Sequence, residues 1–204
     1  AQFIVSEHAH AEIRHIDVSQ ALKIPGVLGV WTAHDFREYP DLPGELPDLE
    51  RPPLATGRVR WAGEPIAVVV AEDRYIAADA VAAVHVDYHV LPAVSTIRDA
   101  LAPDAELLFP EHGSNALVTV PMLDDLDRAM EACDERAQLR VINQRCAVVP
   151  IETMACLADW NIDGLTMWAT FQAPHHLRNK MSAWLNIPQN QCRIITPNVG
   201  GGFG

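Results

Sequence analysis

The sequence predicts a mixed α/β (α+β) chain, built as a small α/β domain followed by a second, separate unit. Three observations predict it. The run Ile66, Ala67, Val68, Val69, Val70, Ala71 is strand-sized and rich in β-branched residues, and a helical stripe follows it directly. A second block, residues 156–204, reads as hairpin, helix, strand and glycine loop in that order. Between and beside these lie two proline-bearing stretches without periodicity, residues 40–53 and 92–121, which interrupt regular structure.

Taken in order, residues 1–5 read as a strand. Residues 8–14 set His8, His10, Glu12 and Arg14 against Ala9, Ala11 and Ile13, the period-two pattern of a half-buried strand. A short helical turn follows, Pro25-Gly26 signals a turn, and residues 27–31 form the next strand. Thr32 and Asp35 have the spacing of a capping box that opens a brief helix. Five prolines over 40–53 then carry the chain across the surface. After the strand 66–71, Asp73 caps a helix whose apolar stripe is Ile76, Ala80, Ala83 and Val84. Residues 84–90 alternate Val84, Val86, Tyr88 and Val90 with His85, Asp87 and His89, completing a strand-helix-strand unit.

Beyond the 92–121 linker, Leu126, Ala129, Met130 and Cys133 mark a helix, and 139–149 an extended segment. Residues 156–160 and 165–171 form a hairpin that turns through Asn161, Ile162, Asp163 and Gly164. A helix follows, with Pro174 in its first turn, Leu177, Met181, Trp184 and Leu185 on its apolar face, and Pro188 at its end. Residues 192–196 are the last strand, and it runs straight into Gly200, Gly201, Gly202, Phe203 and Gly204. A chain closing on such a loop reads as a piece of something larger.

Composition narrows the function classes. The 204 residues are 49% hydrophobic and 21% charged, the profile of a packed, soluble chain rather than a disordered one. No apolar run approaches a membrane span. Asp plus Glu total 27 against 15 Lys plus Arg, a formal charge of −12 that repels a phosphate backbone, so nucleic acid is not an expected partner. Cys133, Cys146, Cys156 and Cys192 form no C-x-x-C clip and no disulfide framework, which suits a reducing, cytoplasmic setting with the thiols packed inertly.

Two local patterns could carry chemistry. Successive glycines at 200–204 let backbone approach a ligand closely and present N–H groups to an anion, although the loop alone suits equally a tight turn where two backbones cross. Its spacing is neither G-x-G-x-x-G nor a P-loop. Gln172, at a strand-to-helix junction, has a neutral amide able to donate to a ligand oxygen, while on spacing alone a role in satisfying the helix start is favoured. His8 and His10 share a strand face without a third ligand and read as a solvated edge; His175 and His176 diverge on a helix and read as surface or interface residues. Glu152 is a lone carboxylate in an apolar stretch, with a structural role ahead of a role as base.

Several separate motifs in order resemble one family. Gly63-Glu64-Pro65 with residues 66–71, Ala77-Ala78-Asp79-Ala80, Val86-Asp87-Tyr88 and Leu91-Pro92-Ala93-Val94 look like the α/β hammerhead domain of the molybdenum hydroxylases, the large subunits of carbon monoxide dehydrogenase, aldehyde oxidase and xanthine dehydrogenase. Pro150-Ile151-Glu152-Thr153, residues 165–175 and Gly200 to Gly204 look like the opening of that family's molybdopterin-binding domain. Glu152-Thr153 is similar to the carbon monoxide dehydrogenase branch; Val148 and Val149 stand where many members carry a histidine.

The resemblance implies a hammerhead domain over 1–94, a linker over 95–122 and a truncated molybdopterin-binding domain over 123–204. It implies that Gln172 approaches an oxo ligand of molybdenum, that Gly202, Phe203 and Gly204 give backbone N–H groups to the cofactor, and that no side chain here ligates the metal. The cofactor is then molybdenum–molybdopterin in its cytosine dinucleotide form, with FAD on a medium subunit and 2Fe-2S clusters on a small subunit, in a dimer of heterotrimers. The implied activity is hydroxylation of an aldehyde, N-heterocycle or similar small substrate, or oxidation of carbon monoxide. The family's active-site loop and general base lie beyond Gly204, so no catalytic residue is assigned, and this stretch alone is expected to be inactive. The competing expectation is an assembly or scaffold protein that keeps the fold without the cofactor.

Overall fold

The computed structural model describes residues 1–39, 52–120, 126–144 and 146–203. The proline stretch 40–51 and Gly204 lie outside the described residues. The chain divides into two compact units, one of residues 1–93 with 150–204 and one of residues 94–149.

In the first unit, the β-branched run forms β5 (Pro65–Ala71), the centre of a sheet ordered β1-β5-β3 with β1 (Gln2–Val5) and β3 (Val27–Thr32), all antiparallel. Val68 has Phe3 on one side and Trp31 on the other, so apolar side chains line both neighbours. Helix α1 (Arg74–Ala82) packs on this sheet through Ala77 and Ala80, small enough for close approach. Its start is the one expected, with the Asp73 carboxylate accepting from the N–H groups of Tyr75 at 2.8 Å and Ile76 at 2.9 Å. The capping box at Thr32 and Asp35 also forms. A second antiparallel sheet is ordered β4-β2-β6, from β4 (Arg58–Val59), β2 (Ala11–Asp17) and β6 (His85–Val90). Ile66, Val69, Val59, Ala11, Ala77 and Ala80 form the core around these layers.

Two expectations change here. The strands before and after α1 belong to different sheets, because β6 pairs with β2 and not with β5, so residues 66–90 are not one pairing unit. The strand expected over 8–14 begins at Ala11, and His10 is 1% exposed rather than at a solvated edge. His10 is accommodated because its Nδ1–H donates to the Pro92 carbonyl at 2.8 Å while its own carbonyl accepts from the Leu91 N–H at 3.0 Å. One polar residue thereby ties the start of β2 to the chain leaving β6.

The remainder of the first unit is a sheet ordered β7-β8-β9, from β7 (Cys156–Asn161), β8 (Gly164–Ala169) and β9 (Cys192–Ile195). The hairpin β7-β8 closes with Asn161 opposite Gly164, as the turn residues require. Gly164 adopts φ +116 and a side chain there would run into the Gln191 backbone, so glycine is needed on both counts. β9 joins β8 in parallel, with α4 (Pro174–Trp184) as the crossover. Cys192 is buried, whereas Cys133, Cys146 and Cys156 are exposed free thiols, which corrects the expectation that all four pack inertly.

In the second unit, α2 (Ile97–Ala100) and α3 (Leu126–Glu131) are short, and described residues of 139–149 form no ladder. Asn115 organises part of it: its amide donates to the carbonyls of Ala100 at 3.1 Å and Glu106 at 2.9 Å, and its oxygen accepts from the Leu108 N–H at 3.0 Å. No helix among the described residues is long and apolar enough to cross a membrane.

Candidate functional site

Strand direction brings the candidate residues together. Because β8 and β9 are parallel neighbours, both end at the same edge of their sheet, the edge where open α/β sheets place ligands. Thr170, Phe171 and Gln172 leave β8 there, and Pro197 to Phe203 follow β9 from the same edge. A third segment arrives from the opposite direction. β7 is antiparallel to β8 with Cys156 opposite Ala169, so residues 150–155 reach the edge just before β7 begins.

Thr170 fastens that segment. Its N–H donates to the Ala155 carbonyl at 3.1 Å and its Oγ1 accepts from the Ala155 N–H at 3.0 Å, two bonds that continue the ladder past the end of both strands. The Glu152 carboxylate then accepts from the Gly200 N–H across 48 residues of sequence. The glycines lie against these walls without room for side chains. A Cβ at Gly202 would fall 2.6 Å from Gln172 Oε1 and 3.2 Å from Gln172 Cβ. One at Gly201 would meet the Phe203 ring at 2.7 Å and Pro150 Cβ at 3.0 Å, and one at Gly200 would overlap Glu152 itself.

The structure therefore sets Gln172 beside Gly202 and turns the Phe203 ring back over Gly201, with Phe203 68% exposed. Gly204 lies outside the described residues. Glu152 and Thr170 complete the arrangement, and neither contact is visible in sequence spacing. A cavity of about 260 Å³ is lined by Glu152, Trp168, Thr170, Pro197 and Asn198. Among the described residues, Glu152 is the one charged residue in its wall.

A second cavity, about 440 Å³, is lined by His175, Arg178, Gln189, Arg193 and Thr196, and neither cavity is lined by Gln172, Gly202 or Phe203. Cys192 belongs to its wall; burial pushes the thiol up in pKa, with the Arg178 charge partly opposing. His175 and His176 are exposed. Among the described residues no three His, Cys, Asp or Glu side chains are grouped to hold a metal ion. What the first site offers instead is a neutral amide and a glycine backbone at close range, a cradle that any Cβ at Gly202 would fill. Such a cradle fits an oxygen-rich, anionic group held by N–H donors.

Comparison with known proteins bears on that fit. Residues 1–92 match the family described as "Aldehyde oxidase and xanthine dehydrogenase, a/b hammerhead domain", and residues 108–204 match "Molybdopterin cofactor-binding domain". The carbon monoxide dehydrogenase large chain of Afipia carboxidovorans is 35% identical over 99% of this chain and 27% of its own length. The crystal structure of Cu,Mo carbon monoxide dehydrogenase in its carbon monoxide-reduced state superposes with a TM-score of 0.85 at 33% identity, over 100% of this chain and 28% of that one. Quinoline 2-oxidoreductase from Pseudomonas putida 86 does so with a TM-score of 0.82 at 30% identity, over 100% and 27%. The chain thus spans about a quarter of the length of the relatives it matches.

Proposed function

The chain belongs to the molybdenum hydroxylase large subunits, as their N-terminal portion, and from that premise we propose that it supplies one wall of a molybdopterin site in an oxidoreductase. The observation that carries the proposal is the side-by-side placement of Gln172 and Gly202 at the carboxyl ends of parallel strands. When bound, the molybdenum cofactor supplies two-electron oxidation of a small substrate with water as the source of oxygen. The chain's own part is to bind and orient. Gln172 would hold the cofactor through its neutral side-chain amide, adding no charge, and Gly202, Phe203 and Gly204 would offer it backbone N–H groups.

We divide the chain into a hammerhead domain over 1–94, a connecting stretch over 95–122 and the start of the molybdopterin domain over 123–204. The substrate is an aldehyde, an N-heterocycle or a similar small molecule, or carbon monoxide, and none of this chain's own residues is assigned as the general base. Partner subunits would carry 2Fe-2S clusters and FAD to supply electron transfer, the cofactor would be the cytosine dinucleotide form, and the setting would be the cytoplasm, in keeping with three exposed free cysteines.

Gln172→Ala in the complete subunit tests the reading. Removing one preorganised donor lowers kcat by about a hundredfold while molybdenum content and melting temperature stay at the wild-type level. Unchanged turnover at full metal content contradicts the role given to Gln172.

A further inference from the structure

A run of three glycines has little conformational preference of its own, so a loop that presents its N–H groups in a fixed direction needs an outside constraint. Glu152 supplies one. Its carboxylate accepts from the Gly200 N–H, its Cβ lies where a side chain on Gly200 would have to go, and Pro150 in the same segment closes on Gly201. The segment bearing Glu152 is itself fixed to the end of β8 by the paired bonds between Thr170 and Ala155. Beyond Gly200, the N–H groups of Gly201, Gly202 and Phe203 have no acceptor among the described residues.

We propose that Glu152 is a positioning residue for the cofactor: it binds the first N–H of the glycine loop and thereby turns the next three outward for an anionic ligand. This rests on the reading of the loop as a molybdopterin site. A carboxylate suits the task because a charge-assisted bond to a backbone N–H is about twice as strong as a neutral one. It also leaves a Glu152 carboxylate oxygen engaged by the loop backbone rather than aimed at the ligand.

The test compares Glu152→Ala, Glu152→Asp and Glu152→Gln with wild type in the complete subunit. Two quantities are measured: molybdenum per polypeptide, and amide exchange of the peptide covering 197–203 in cofactor-free protein. Glu152→Ala is expected to hold about tenfold less molybdenum and to exchange about tenfold faster in this peptide. Glu152→Asp, one methylene too short to reach Gly200, behaves like alanine and serves in its place if alanine fails to fold. Glu152→Gln, which keeps an acceptor oxygen, recovers most of both quantities, which a merely space-filling role would not predict. Wild-type metal content and exchange in the alanine or aspartate variant overturn the proposal alone. A wild-type subunit that takes up no molybdenum overturns the cofactor reading and the positioning role with it.

Discussion

Gly202→Ala in the complete subunit is expected to lower turnover by about a hundredfold while leaving folding stability within about 1 kcal/mol of wild type. The asymmetry follows from what the new methyl group meets. Its nearest neighbour is Gln172 Oε1 at 2.6 Å, the mobile end of a long side chain, so the amide swings aside and the backbone stays in place. A displaced amide no longer occupies the position proposed for it beside the cofactor, and misplacing a positioned group by about 1 Å is enough for losses of this size. Gly200→Ala has the opposite signature. Its methyl group meets Glu152 Cβ and backbone N, which cannot rotate away, so the loop itself is expelled at a cost of about 1–3 kcal/mol and cofactor content falls with activity. Steady-state kinetics, metal content and melting temperature on the two variants separate these outcomes. Equal behaviour of both would contradict the geometry.

Ile66→Ala is expected to destabilise the hammerhead part by about 2–5 kcal/mol. Ile66 is fully buried in the central strand β5, among the largest side chains with no exposure, and its neighbours in the core come from both sheets and from α1. Truncation removes transfer free energy and leaves a cavity that strands fixed on both sides cannot collapse into. Domain stabilities of about 5–15 kcal/mol make this a large fraction of the total, visible as a lowered urea midpoint at unchanged slope. Leu28→Ala on the neighbouring strand β3, where Leu28 is 64% exposed, shifts stability by no more than about 0.5 kcal/mol. A loss below about 1 kcal/mol at Ile66 would contradict the assigned core.

Local features were legible in the sequence where a local cause acts. Asp73 and the Thr32–Asp35 pair cap what they were expected to cap, and the turn through Asn161 and Gly164 closes the expected hairpin, because each depends on residues within one turn of chain. Pairing partners were less legible. Periodicity reports which face of a segment is buried and says nothing of its neighbour, so the strand-helix-strand pattern of residues 66–90 hid two sheets. The parallel β8-α4-β9 unit that builds the site is, by contrast, a true crossover. His10 reads as a solvated edge because it shares a strand face with His8 and has no third ligand nearby; its Nδ1 instead meets a backbone carbonyl 82 positions away, and no pattern encodes that distance. The same holds for Glu152 and Gly200. Their motifs could be read separately, but the bond between them exists only because β7 begins where β8 ends.

The proposed molybdopterin site includes the loop after β9, faced by Gln172. Its most direct test is metal and cofactor analysis of the complete wild-type polypeptide purified from cells supplied with molybdate. The expected result is about one molybdenum per polypeptide, released on denaturation together with a pterin and a cytidine nucleotide. A folded, complete polypeptide that carries neither molybdenum nor pterin would contradict it.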